Sequence, residues 1–392
     1  MNLEPGRKMI EKLNREFPEL KLLLDRPYRE LTTLGVGGTL PLLAEPASED
    51  ELKKLLAFLS RRRIPFFILG GGSNLVGMDA PYPGVAIRLD KAAFGKIERD
   101  GELIRAGAAA KLPALAAFAA ENGLHGFAPL ACIPGSVGGA LRMNASCRGT
   151  AIGELVKTLH GVRFDGSSWQ ADAQSLKWRY REGGVPADVV ITGATFELGS
   201  GDPAAEKAAV EEERAKRRAS EPAGRSAGCV FRNVSPDKPA GMLIDRCGLR
   251  GSKVGGVEVS EKHANYILNT SGEASEADFL RLARFVRRSV RERFGCELRP
   301  EVRFISQTSH RALVEDRDPE TAAPSRPSPL LVGVCRWLGR ALTALAALAL
   351  ALTGRNLWAA EPTFAAVAFA GALLLILSEP FCTLLKRMDR HE

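Results

Sequence analysis

Apolar residues recur along the first third of the chain in two alternating rhythms. In SEDELKKLLAFLSRRR (48–63), Leu52, Leu55, Leu56 and Leu59 fall three or four apart, on one face of a helix. Ser48 with Glu51 has the form of a capping box at its start. IPFFIL (64–69) follows as a continuous apolar run, the pattern of a buried strand, and runs straight into Gly70-Gly71-Gly72. The alternation then repeats: ELIRAG (102–107) predicts a strand, and KLPALAAFAAENG (111–123) a helix with Gly123 past its end. From about 150 to 198 the pattern turns β-rich, with strands expected in VKTLHGVRF, GSSWQAD and DVVITGATFEL. Residues 204–219 predict a charged helix braced by Glu212–Lys216 and Glu213–Arg217. Ser275 and Asp278 open another, with Phe279, Leu282, Val286 and Val290 on one face and Gly295 at its end.

Beyond residue 306 the pattern changes. Residues 307–329 are polar, Pro-bearing and aperiodic, as in a linker. Two uncharged Ala/Leu-rich runs follow, 341–353 and 362–378, flanked by Arg336 and Arg340 before and Lys386, Arg387 and Arg390 after. The first run spans about 20 Å as a helix, short of the roughly 30 Å hydrocarbon layer. With both basic flanks on the cytoplasmic side, the tail (330–392) is a candidate helical membrane hairpin that associates the protein with the inner face of the cytoplasmic membrane. The expected layout is a first region of residues 1–200 in two lobes (about 1–90 and 91–200), a C-terminal domain of 201–306, a linker of 307–329 and the tail.

Composition adds limits rather than chemistry. The chain has 392 residues, room for two or three domains. A net charge of +8 mildly favours anionic ligands, but the basic residues are mixed with acidic ones and not interleaved with aromatics, which argues against nucleic-acid binding. The seven cysteines form no CxxC and no His-paired spacing, so no metal site and no disulfide framework is expected, and a reducing, cytoplasmic compartment is. The N-terminal MNLEPGRKMIEKLNREF lacks the apolar run of a signal peptide.

Two glycine segments carry candidate chemistry. LGGGSNLV (69–76) offers consecutive backbone N–H groups without side-chain bulk, with the Ser73 hydroxyl and Asn74 amide alongside, suited to a pyrophosphate. The same glycines also suit a tight turn between strands. In IPGSVGGALRMNA (133–145), Pro134-Gly135-Ser136 sets a turn and Gly138-Gly139 again brings backbone close to a ligand. No G-x-G-x-x-G follows a strand, so a Rossmann site is not expected. RSAGCVFRNV (225–234) poses a different question, since Cys229 there is a buried filler, a metal ligand or an acid–base group.

In order along the chain, TTLGVGG (32–38), LGGGSNL, IPGSVGGA, WRYR (178–181), SAGCVFRN (226–233), AGMLIDRCGLRG (240–251), VGGVEVSEKHANYILN (254–269) and LRPEVRFI (298–305) resemble the UDP-N-acetylenolpyruvoylglucosamine reductase family over residues 1 to about 305. The segment GLHGFAPLACIPG departs from it at Ala128 and Cys132, where the family often has Glu and Gly, and the lack of a long insertion resembles its shorter type. The resemblance implies an α+β protein: a bipartite FAD-binding fold of the vanillyl-alcohol oxidase type followed by an α/β substrate domain. It implies FAD and NADPH as cofactors and a UDP-sugar as substrate, with reduction of an enolpyruvyl ether as the reaction. It carries flavin contacts onto Gly70, Gly71, Gly72, Ser73, Asn74, Pro134, Gly135, Ser136, Gly138, Gly139 and Asn144, and substrate contacts onto Tyr180, Arg232 and Asn233. It carries catalysis onto Arg181 and Glu301 at the enolate carboxylate and onto Cys229 as proton donor, a position that more commonly holds serine. Two rival readings are another flavin oxidoreductase of the same fold and an inactive, membrane-tethered scaffold.

Overall fold

The computed structural model describes residues 4–315. The apolar runs 341–353 and 362–378, and with them the expected hairpin, lie outside the described residues. Among the described residues no helix is long and apolar enough to cross a membrane.

The first layer is a four-stranded sheet in the order Lys21–Pro27, Thr39–Glu45, Val85–Ile87, Phe66–Ile68. The first pair is antiparallel and the remaining pairings are parallel, with Glu49–Arg61 as the crossover helix. Side-chain alternation divides its two faces. Leu42, Ala44, Val85 and Ile87 join the leucines of the helix, while Leu40, Leu43 and Ala86 pack with Tyr28, Leu31 and Leu69 on the opposite side. Ser48 caps the helix by accepting from Glu51 N–H at 3.1 Å. Glu51 reaches past the expected box and accepts from Ala47 N–H at 2.7 Å. The strand expected at 64–69 narrows to Phe66–Ile68, because Arg63 turns through a positive φ of 53° just before it.

The second layer is a five-stranded antiparallel sheet ordered Ser168–Asp172, Val156–Arg163, Val189–Glu197, Leu103–Gly107, Ile97–Asp100. Helices Leu112–Glu121 and Pro203–Ser220 add Leu112, Leu115, Ala116, Ala119 and Val210 to the core it shares with the first layer. Of the two expected braces on the charged helix, Glu212–Lys216 forms at 2.7 Å. Glu213 instead meets Lys216 at 3.0 Å and Arg148, and Arg217 turns to Glu221 at 2.5 Å. Arg217 thereby faces inward, toward Cys132.

A third sheet, Arg225–Cys229, Tyr266–Asn269, Val257–Val259, Lys253–Val254, is antiparallel throughout. It is covered by Ala240–Arg246 and Glu276–Phe294. The latter has the reciprocal Ser275–Asp278 capping box, buries Phe279, Leu282, Val286 and Val290, and ends at Gly295 in the left-handed region. Leu34, Val36 and Val76 from the N-terminal region complete this core. The stretch expected to begin a linker differs: Gln307–Glu315 forms a helix that buries Ser309, Ala312 and Leu313, a short i, i+3, i+4 stripe masked by its polar surroundings.

Two connections bring the third sheet to the glycine segments. Arg303–Phe304 pairs in parallel with Leu75–Val76, directly after the first glycine loop. Residues 230–232 lie beside 299–302, through Glu301 N–H to Val230 O at 2.8 Å and Arg232 N–H to Arg299 O at 2.9 Å.

Candidate active site

Between the first two sheets lies a cleft of about 880 Å³, within the range of cofactor pockets. Its wall includes Gly70, Gly71, Pro134, Gly135, Ser136, Gly138 and Gly139, so both glycine segments meet there. Gly72, Ser73 and Asn74 stand behind that wall. Gly72 O accepts from Thr33 N–H at 3.1 Å, Ser73 Oγ–H donates to Pro134 O at 3.0 Å, and Asn74 Nδ2–H donates to Glu301 O at 3.2 Å.

The glycines do different jobs from one another. A Cβ on Gly71 would come within 2.7 Å of Gly135 Cα, and one on Gly138 within 2.9 Å of Ala108 Cβ. These two let protein backbones meet each other rather than a ligand. Val137 and Gly138 donate their N–H groups to Ala110 and Ala108 carbonyls at 2.9 Å each. Gly139 is the residue whose Cβ would project into the cleft, where its nearest neighbour is Ser136 Oγ at 3.3 Å. Lys21 and Arg88, also on the wall, share the one Glu45 carboxylate at 2.7 and 2.5 Å, which leaves the trio with a net positive charge. Burial alone would raise that carboxyl, but Lys21 and Arg88 bring it below the usual range.

The acid–base cluster is assembled from three distant segments. Trp178-Arg179-Tyr180-Arg181-Glu182 makes a tight turn closed by Arg179 N–H to Glu182 O at 2.9 Å and the reciprocal bond at 3.0 Å. Arg181 occupies its corner with φ of 61°, a position that favours glycine, so its side chain is held there at a conformational cost. Asn144 supports the turn: its Nδ2–H donates to Arg179 O at 3.1 Å and its Oδ1 accepts from Gly153 N–H at 3.1 Å. Its amide is therefore engaged with backbone, and it lines a separate cavity of about 700 Å³.

Arg181 Nε lies 2.6 Å from Glu301 Oε1, with both side chains largely buried, and its Nη1–H donates to Ser146 Oγ at 3.0 Å. That contact engages the Arg181 Nε–H with the Glu301 carboxylate, whereas the buried Arg232 Nε–H has no acceptor. A buried guanidinium donor of this kind suits an arriving anion. Arg232 meets Glu182 only at 3.8 Å. Asn233 Oδ1 accepts from Ala240 N–H at 3.0 Å, capping a helix. Tyr180 is half exposed, with the Arg181 guanidinium 4.9 Å from its ring centre.

Cys229 ends its strand opposite Tyr266, after a bulge in which Gly228 takes a φ of 77°. The bulge, formed by Ala227 and Gly228, re-aims the thiol at the strand end. Burial, then the charges of Glu301 and Glu221, push the Cys229 thiol up to about 12, while Arg181 and Arg217 pull the other way. The thiol is thus protonated near neutrality, but it is a weaker acid than a free cysteine. Burial also raises the Glu301 carboxyl, and Arg181 partly offsets that. One residue escaped the sequence reading. Arg303 stands near Arg232, and burial together with Arg232 lowers its pKa. In LRPEVRFI it reads as an ordinary strand cation; no pattern marks it.

A cofactor cleft on the first two sheets, met by an acid–base cluster from the 178–182 turn, the third sheet and the 298–305 segment, defines a two-part oxidoreductase scaffold. The comparisons sharpen this. The family profile described as "FAD binding domain" matches residues 41–165, and that described as "UDP-N-acetylenolpyruvoylglucosamine reductase, C-terminal domain" matches 220–305. A UDP-N-acetylenolpyruvoylglucosamine reductase of Desulfosudis oleivorans is 42% identical over 296 residues, covering 72% of this chain and 94% of the relative. One from Methylorubrum extorquens is 41% identical over 300 residues, covering 76% and 96%. The crystal structure of the MurB enzyme from Thermus caldophilus superposes with a TM-score of 0.62 at 32% identity, covering 73% of this chain and 98% of that one. The chain belongs to the UDP-N-acetylenolpyruvoylglucosamine reductase family, and its fold is that family's FAD-binding fold with a C-terminal domain, mixed α+β.

The cleft fits a flavin nucleotide, because Gly139 leaves open the space a side chain would fill. Gly139→Val is therefore expected to yield a folded, colourless protein, with melting temperature of the apoprotein close to wild type. Gly71→Ala, by contrast, forces the two glycine loops apart and should destabilise the apoprotein by about 1–3 kcal/mol. Flavin-to-protein ratio and apoprotein melting separate the two; a fully yellow Gly139→Val would remove that residue from the cofactor wall.

Proposed function

We propose that the protein reduces UDP-N-acetylglucosamine enolpyruvate to UDP-N-acetylmuramate with NADPH, in the synthesis of peptidoglycan precursors. The observation that carries this is the meeting of Arg181, Cys229 and Glu301, from three separate segments, with the buried Arg232 Nε–H nearby still lacking an acceptor. In this reading residues 1–200 hold FAD and 201–306 hold the UDP-sugar.

FAD held in the cleft lined by Gly70, Gly71, Gly135, Ser136 and Gly139 would supply hydride chemistry, with NADPH as reductant, toward the vinyl carbon of the enolpyruvyl group. The residues present must then do two things. Negative charge develops on the carboxylate side of the substrate, and the Arg181 guanidinium, pre-aimed by its strained turn and by Ser146, stabilises it there. Glu301 fixes Arg181 and sits at the same carboxylate. The Cys229 Sγ–H donates a proton to the carbon next to that carboxylate, completing the reduction. Tyr180, Arg232 and Asn233 border the sugar nucleotide, with Arg232 offering its free Nε–H to an anionic group. A flavin oxidase acting on an alcohol has no need of a guanidinium–carboxylate pair beside a protonated thiol.

The decisive experiment is an anaerobic assay of purified protein. NADPH should bleach the flavin, and the yellow colour should return only on adding the enolpyruvyl sugar, with one UDP-N-acetylmuramate formed per NADPH. Bleaching followed by no response to that sugar would overturn the proposal.

A further inference from the structure

Two cysteines outside this chemistry stand face to face. Cys132 Sγ and Cys147 Sγ are 3.8 Å apart. Both are half-buried and both are thiols in this structure. Cys132 follows the short helical turn Ala128–Leu130, and its thiol rests against Pro129 O at 3.5 Å. Cys147 belongs to a small hairpin, Ser146–Cys147 with Thr150–Ala151, whose corner residues Arg148 and Gly149 both have positive φ. Such a turn holds the hairpin in one register. The two sulfurs therefore meet from preset backbones rather than from mobile ends. Their environments are also unequal. Either thiol can donate to the other; the contact with Cys147, and then the nearby Arg217 guanidinium, hold the Cys132 thiol below its ordinary range. The same contact pushes the Cys147 thiol up. This asymmetry matches one attacking sulfur and one resolving sulfur.

We propose that Cys132 and Cys147 form a reversible disulfide site, oxidised by hydroperoxides, that ties the loop entering Pro134–Ser136 to the hairpin carrying Ser146. The Cys132 thiolate attacks one oxygen of hydrogen peroxide, the O–O bond breaks, and with one proton taken up a sulfenic acid and water result. Cys147 then attacks the sulfenic sulfur, loses its proton and displaces the oxygen as a second water. Two thiols are oxidised by two electrons, and one peroxide is reduced to two waters. The sulfurs must approach by less than 2 Å to reach a bond length of about 2.05 Å. The tether matters because it joins the wall of the cleft to the Ser146 hydroxyl that accepts from Arg181. The thiol oxidation itself uses no part of the proposed reaction, so it can be tested apart from it.

Peptide mapping tests it on the full chain. Arg142 lies between the two cysteines, so trypsin places Cys132 in 112–142 and Cys147 in 143–148. After one equivalent of hydrogen peroxide the two peptides should be recovered as one linked species that dithiothreitol separates, and Cys132→Ser or Cys147→Ser should each abolish the link. In Cys147→Ser, dimedone should trap sulfenic acid at Cys132 about tenfold faster than at the other cysteines, since the thiolate is the reactive form. Unlinked peptides with oxidation spread over the other cysteines would overturn the proposal. A link that forms equally fast in urea-unfolded protein would do so too, because the geometry would then have no part in it.

Discussion

Cys229→Ala is expected to leave NADPH reduction of the bound flavin nearly unchanged while slowing its reoxidation by the enolpyruvyl sugar about 10²–10⁴-fold, the range for a lost general acid. The split between the half-reactions follows from where the thiol stands. Cys229 sits at the end of a strand of the third sheet, among Glu301, Arg181 and Tyr266, whereas the cofactor cleft is lined by the first two sheets. Cys229→Ser should recover much of the loss. A free thiol is more acidic than an alkyl hydroxyl, but burial and Glu301 push this one up to about 12, which removes much of that advantage. A thiol so placed is protonated throughout the neutral range and serves as a donor in the same state a hydroxyl would. The substrate half-reaction should accordingly show no basic limb near pH 8–9, where an unperturbed cysteine would ionise. Stopped-flow measurement of each half-reaction checks both points. An alanine variant with wild-type reoxidation would leave Cys229 as packing.

Much of this site can be read in the chain, and the reasons are local. The helix at 49–61 and the one at 276–294 declare themselves through leucine and phenylalanine spacing and through Ser48 and Ser275, because caps and stripes act within a few residues. The meeting of WRYR, SAGC and RPEV was accessible only through the ordered resemblance, since Arg181 and Glu301 are 120 residues apart and each reads alone as a surface charge. What escaped depends on three-dimensional neighbours. Glu213 and Arg217 are correctly spaced for each other, yet Arg148 and Glu221 compete for them. Gly71 and Gly139 look alike in sequence, and only the facing backbone of Gly135 makes one a loop contact and the other a cleft wall. Cys132 and Cys147 are 15 positions apart with no motif, so their contact had no local signal.

Arg181→Met and Glu301→Gln should both injure the substrate half-reaction, by different routes. Removing the guanidinium takes away the donor at the developing charge, and about 10²–10³-fold is the usual loss for one such group. It also strands Glu301, whose carboxyl is already raised by burial and is held down by Arg181. Without that counterweight the carboxyl pKa climbs further. A carboxyl with a raised folded pKa stabilises the fold fully below its unfolded pKa and loses that contribution as pH rises through the folded value. Arg181→Met should therefore lose more melting temperature at neutral than at mildly acidic pH, whereas Glu301→Gln, with no carboxyl to ionise, should lack that dependence. Gln keeps the shape of the side chain but gives up the charge that fixes Arg181, so its Nε–H and Ser146 contact alone must hold the guanidinium. NADPH oxidation to the flavin should remain within a few-fold of wild type in both variants, because no charge builds beside a carboxylate in that step. Equal damage to the two half-reactions would mean that the pair maintains the fold or the flavin site, and its assignment to the substrate carboxylate would fall.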